Sequence, residues 1–119
     1  MEGKSVRPGT LVVLWSSVDK EVATKMAFMY TLNAKLRGWW KHVTLIVWGP
    51  SAKLLTEDSE LRDRIEKMRA AWVVLLACKA CSDSYGVSEG LEKLGVEVKY
   101  MGEPFTQILK DTYQRVITL

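Results

Sequence analysis

Cys78 and Cys81, the chain's only two cysteines, stand three residues apart in Ala77-Cys78-Lys79-Ala80-Cys81-Ser82-Asp83, directly after the apolar run Ala71-Trp72-Val73-Val74-Leu75-Leu76. The run reads as a buried strand and the polar residues beyond it as the opening of a helix. A thiol at such a junction faces the first free amides of the helix, which favour negative charge and so suit a thiolate. With Cys78 as the N-cap or first helical residue, its sulfur meets the amides of Ala80 and Cys81. Lys79 adds favourable charge and Asp83 opposes it. Helix-start cysteines can have pKa values lowered from about 8.5 into the range ~3.5–7.5. Cys81, one turn on and on the same face, is placed to attack a disulfide or persulfide formed on Cys78.

Four chemistries fit this spacing. Cys78 can carry sulfane sulfur as a persulfide and pass it to a partner thiolate. The pair can instead form a dithiol–disulfide couple, although the Trp-Cys-Gly-Pro-Cys surroundings of a thioredoxin are absent. A zinc site needs four ligands, and beside the two cysteines the chain offers only the lone His42 among soft donors, so ligands would have to be shared across an oligomer. The fourth reading is two small side chains that pack a helix onto a sheet. Elsewhere, Trp15-Ser16-Ser17-Val18-Asp19 lacks the glycines of a dinucleotide or phosphate loop, so its hydroxyls read as helix caps. Gly49-Pro50-Ser51 reads as a turn at the same end of the sheet as the cysteines. His42 falls at the opposite end, and Asp19, Glu103 and Asp111 read as caps or solvated surface.

The elements that must position the pair follow from periodicity and breakers. Strands are predicted over 10–15, 43–48, 72–76, 96–100 and 115–119. A long helix runs from the caps at 16–19 to about Arg37, where Gly38 stops it. A helical turn lies around 53–55, and Asp58 or Ser59 caps a helix to about Ala70. The helix that the cysteines open is interrupted at Gly86, recapped by Ser88 and ended by Gly95. Pro104 starts a last helix to about Lys110. Alternating strands and helices imply a three-layer α/β/α sandwich with a mainly parallel five-stranded sheet. Residues 1–9 are expected to be a flexible lead, and 10–119 a single domain.

The first helix carries two apolar stripes, one of Ala23, Met26, Ala27, Tyr30 and Ala34 and another of Phe28, Met29, Leu32 and Leu36. A helix that packs only on its own sheet needs one apolar face, so the second predicts a homo-oligomer. Trp39 and Trp40 either join that contact or plug the base of the core.

At 119 residues the chain is long enough for one self-sufficient core, and its 48% hydrophobic and 26% charged content is ordinary for a globular domain. The net charge of +3 is spread along the chain, with no basic block to mark a nucleic-acid or membrane partner. No apolar run approaches the ~20 residues needed to span a bilayer. The polar N-terminus does not read as a secretory signal. These features predict a cytoplasmic protein, where thiols stay reduced and a close pair means redox chemistry, sulfur transfer or metal binding.

From Thr10 onward the chain resembles the DsrE-like family. The likeness rests on Asn33 late in the first helix, Val47-Trp48-Gly49-Pro50-Ser51, Ala77-Cys78-Lys79-Ala80-Cys81 followed by Gly86-Val87, Gly95-Val96-Glu97-Val98, and the terminal Arg115-Val116-Ile117-Thr118-Leu119. The resemblance implies a parallel five-stranded sheet between helices and assembly as trimers or hexamers. It also implies persulfide relay, with Cys78 at the sulfur-bearing position and Cys81 matching a cysteine found only in some branches. The resulting expectation is a sulfur carrier that uses Cys78, with Cys81 as accessory thiol and Lys79 and the Ala80 amide stabilising the thiolate. Its partners would be sulfur donor and acceptor proteins, and no cofactor or metal is expected. The alternatives are a non-catalytic oligomeric interaction module and a thiol–disulfide redox protein.

Overall fold

The computed structural model describes residues 9–119, so all but Gly9 of the expected N-terminal lead lies outside the described residues. The apolar, β-branched runs form five strands: β1 (Thr10–Trp15), β2 (His42–Val47), β3 (Val74–Cys78), β4 (Glu97–Lys99) and β5 (Gln114–Thr118). They build one sheet in the order β4-β3-β2-β1-β5, and each neighbouring pair is parallel.

Side chains alternate between the two faces of the sheet. Leu11, Val13 and Trp15 of β1, Val43, Leu45 and Val47 of β2, and Leu75 and Ala77 of β3 enter one core. Val12, Ile46, Leu76 and Cys78 enter a second, smaller one. Strand order explains why the cores are unequal. The steps β1 to β2, β2 to β3 and β3 to β4 all move the same way across the sheet, and right-handed crossovers then put all their helices on one face. Only the last step, from β4 back across to β5, runs the other way and brings a helix to the second face.

The first face carries a helical stretch of three segments, α1 (Lys20–Val22), a wide π turn (Ala23–Ala27) and α2 (Phe28–Leu36), together with α3 (Ser51–Glu57), α4 (Ser59–Ala70) and α6 (Ser88–Lys93). The short α5 (Lys79–Tyr85) opens at the cysteines, and α7 (Gly102–Lys110) alone crosses the second face. The three-layer α/β/α sandwich is therefore lopsided.

The π turn changes the reading of the first helix. A π turn takes an extra residue, so the apolar stripes slip in register beyond it. Ala23, Ala27, Phe28, Thr31 and Ala34 face inward, whereas Met26, Met29, Tyr30 and Leu36 stay exposed. Each predicted stripe thus mixes inner and outer residues. The inner set seats the fully buried Trp15, whose ring meets Phe28 edge-on at 4.7 Å.

Caps fall close to their predicted places. Asp19 accepts from the Glu21 amide (2.8 Å), and Asp58 caps α4 by accepting from Leu61 (3.0 Å). Ser88 is the first residue of α6 and not its cap; its hydroxyl bonds Asp83 and Ser82 instead. Pro104 stands in the first turn of α7, two residues inside its start, where a missing N–H costs nothing.

β3 begins at Val74, two residues later than predicted, because Trp72 belongs to the end of α4. The amides of Trp72 and Val73 return to the carbonyls of Arg69 and Met68 (both 3.0 Å), which closes the helix in a left-handed C-terminal turn. Helices α2, α5 and α6 close in the same way, with Gly38, Gly86 and Gly95 at the left-handed residue. At α4 that residue is Trp72, with φ of 69° and 81% exposure. The indole therefore accepts backbone strain and gains almost no burial. Trp72→Gly is expected to stabilise the protein by about 1 kcal/mol, read as a higher urea midpoint at unchanged slope. A lower midpoint would mean that the indole contributes packing in solution.

Candidate functional site

Cys78 is the last residue of β3 and the N-cap of α5, with φ −76° and ψ 116°. The buried strand thus delivers the first thiol to the carboxyl edge of the sheet, where α/β folds place their sites. Its side chain makes no capping hydrogen bond to α5. Instead it turns into the second core, 5% exposed, among Val12, Ile46, Leu76 and Met101. Phe105 and Ile108 of α7 pack against this cluster, as do Trp48 and Cys81, and Trp48 meets Phe105 edge-on at 5.1 Å.

Cys81 lies one turn into α5 and is only part-buried. Both cysteines are free thiols, and the pair approaches to 3.8 Å. The loop after β2 supplies the rest of the Cys81 environment. Ser51 donates its hydroxyl to the carbonyls of Trp15 (2.6 Å) and Trp48 (3.1 Å), which pins the strand exit. From that pinned loop the Gly49 amide and the Trp48 indole act on the Cys81 sulfur. Desolvation dominates and, with the neighbouring Cys78, pushes the Cys81 thiol above its ordinary value of 9.0, while Gly49 and Trp48 pull it down by less.

Lys79 and Ala80 open α5, and Ala80 is exposed. The Lys79 ammonium pairs with Asp83 (3.0 Å) and lies 5.9 Å from the centre of the Tyr100 ring. Asp83 in turn is held below the usual carboxylate range by the Ser88 hydroxyl and by Lys79. This knot ties α5 to α6 across Gly86. The cation in register with Cys78 is Lys99 on β4, whose ammonium lies 3.5 Å from Glu97.

His42 starts β2 at the opposite end of the sheet. Among the described residues no three His, Cys, Asp or Glu side chains converge as metal ligands.

No family model matches the chain, and no curated protein does. Two solved structures do. A conserved protein of unknown function from Bacteroides thetaiotaomicron, BT1422, is 36% identical with a TM-score of 0.89, over 93% of this chain and 95% of its own. This chain belongs to the BT1422 family. The ychN protein from E. coli superposes with a TM-score of 0.69 at 17% identity, over 94% of this chain and 99% of its own, and so shares the fold.

Within this fold, sequence reasoning placed both cysteines at the sheet edge and put the Gly49 turn at the same mouth. It missed Trp48, Lys99, Met101 and Phe105. Lys99 was within reach, since pairing β3 with β4 in parallel register sets it beside Cys78. Met101 and Phe105 carried no local signal, because their role depends on which face α7 crosses.

Native protein treated with iodoacetamide is expected to label at Cys81 first, with Cys78 protected until unfolding. Because the Cys81 pKa is raised, its thiolate fraction at neutral pH is below that of an exposed cysteine. Its labelling rate should therefore still climb above pH 9. Fast labelling of both thiols at pH 7 would contradict this geometry.

Proposed function

We propose that the protein is a sulfur carrier of DsrE-like type, which holds sulfane sulfur as a persulfide on Cys78 and hands it to a partner thiol. The observation that carries this reading is the contact between two free thiols, one buried and one part-exposed, at the carboxyl edge of a parallel sheet. The likeness to ychN, a protein of DsrE-like fold, supports it.

The chemistry needs no cofactor. The Cys78 thiolate attacks the outer sulfur of a persulfide, whose remaining sulfur leaves as the thiolate. The outer sulfur then rides as Cys78–S–SH until an acceptor thiolate attacks it and Cys78 departs as the thiolate. No oxidant is consumed, since one sulfur atom moves between thiols. Lys79, held by Asp83 at 3.0 Å, and the Ala80 amide open α5 beside the mouth.

In the same reading the protein works as a homo-oligomer, a trimer or hexamer, in the cytoplasm. Support comes from the outer face of α2. Met26, Met29, Tyr30, Trp39 and Trp40 line an apolar groove of about 580 Å³ with Ile117 and Leu119 along the outer strand β5. Trp40 donates to the Tyr30 hydroxyl (3.2 Å) and Trp39 packs on the Tyr30 ring (5.9 Å), so both tryptophans belong to this surface. Among the described residues no helix is long and apolar enough to cross a membrane.

A thiol–disulfide couple is the second reading, favoured by the same 3.8 Å approach. Mass spectrometry separates the two. After incubation with inorganic polysulfide, the carrier gains one sulfur (~32 Da) that maps to Cys78 and is removed by excess thiol. A loss of two hydrogens without added sulfur would move the assignment to the redox couple. An unchanged mass would leave an interaction module whose cysteines only pack.

A further inference from the structure

Burial of Cys78 raises a problem of access that the carrier reading must meet. The thiol is 5% exposed beneath a cluster that includes Met101, itself 0% exposed, with Phe105 and Trp48 packed against it. A peptide or protein persulfide cannot bring its outer sulfur to that thiol along a straight path while α7 is in place. Cys81 is only part-buried and lies within 3.8 Å of Cys78.

Resting on the carrier reading, we infer that Cys81 is the port through which sulfane sulfur enters and leaves, and that Cys78 is the interior station that stores it. In the loading step the Cys81 thiolate attacks the outer sulfur of a donor persulfide, forming Cys81–S–SH and releasing the donor thiolate. The Cys78 thiolate then attacks that outer sulfur. A new bond forms between Cys78 and the moving sulfur, the bond from that sulfur to Cys81 breaks, and Cys81 leaves as the thiolate. The proton of the terminal S–H stays with the transferred sulfur. Unloading is the reverse, with an external acceptor thiolate taking the sulfur from Cys81.

Transfer and disulfide closure require opposite movements of the pair. A sulfur–sulfur bond is about 2.05 Å long, so the outer sulfur on Cys81 swings roughly 2 Å from its anchor. In-line attack on it needs a nearly straight line of three sulfurs, so the two anchors, 3.8 Å apart, must part by roughly 1 Å during transfer. Attack on the inner sulfur, which would form a Cys78–Cys81 disulfide and expel hydrosulfide, requires the two anchored sulfurs themselves to close the gap.

The test uses the reduced, full-length protein and glutathione persulfide, a donor too bulky and charged to enter the second core. Samples are quenched by alkylation at increasing times and mapped by peptide mass. The expected course is sulfur on Cys81 first and on Cys78 later. Cys81→Ser and Cys81→Ala should load Cys78 about tenfold more slowly or worse. In denaturant, where burial is gone, both variants should load Cys78 at the wild-type rate, which separates lost access from damaged chemistry. Native Cys81→Ser loading Cys78 as fast as wild type would overturn the port, as would sulfur that stops at Cys81. Sulfide release with a mass loss of two hydrogens would overturn it in favour of disulfide closure. Wild type with sulfur on neither thiol at the endpoint would instead defeat the carrier reading, and it does so without reference to the variants.

Discussion

The handedness of parallel crossovers is the constraint on which the rest of this structure depends. Three crossovers in one direction load one face of the sheet with the first helical stretch, α3, α4 and α6, and the single return to β5 leaves α7 alone on the other. Residue parity then decides where the first thiol goes. Leu75 and Ala77 face the thick layer, so Leu76 and Cys78 face the thin one. A single helix covers the Cys78 thiol, and the loop after β2 lies beside the second. Had β5 followed β4 on the outside, the second face would carry no helix of this chain and Cys78 would lie open.

The same topology separates two surfaces. The cysteines occupy the second face near β3, while the apolar groove formed by α2 and β5 lies on the first face at the other edge. Assembly through the groove would therefore leave the thiol mouth clear. Gly49 links local backbone conformation to the site. Its positive φ of 71° lets the chain turn tightly after Trp48, and from there its amide lowers the pKa of a thiol contributed by a different crossover.

Much of this was legible in the sequence because it is local. Strand runs, the Asp19 and Asp58 caps and the stops at Gly38, Gly86 and Gly95 are written within a few residues of where they act. So is the placement of Cys78 at a strand end. The π turn was not legible, because nothing in Ala23-Thr24-Lys25-Met26-Ala27 distinguishes it from ordinary helix. Trp72 misled for a physical reason: an apolar ring beside valines reads as strand, whereas the helix end before it needs a left-handed residue. The direction of the Cys78 side chain was also hidden. Helix-start reasoning aims it at the amides of α5, but strand parity at residue 78 takes it into the core.

The central claim is that Cys78 stores sulfur inside the second core. A crystal structure of polysulfide-treated protein, phased on anomalous sulfur signal, tests this most directly. The account predicts a second sulfur about 2 Å from the Cys78 Sγ, enclosed by Met101 and Phe105, with α7 in place. A bond between the two cysteines, or no added sulfur on Cys78, would contradict it.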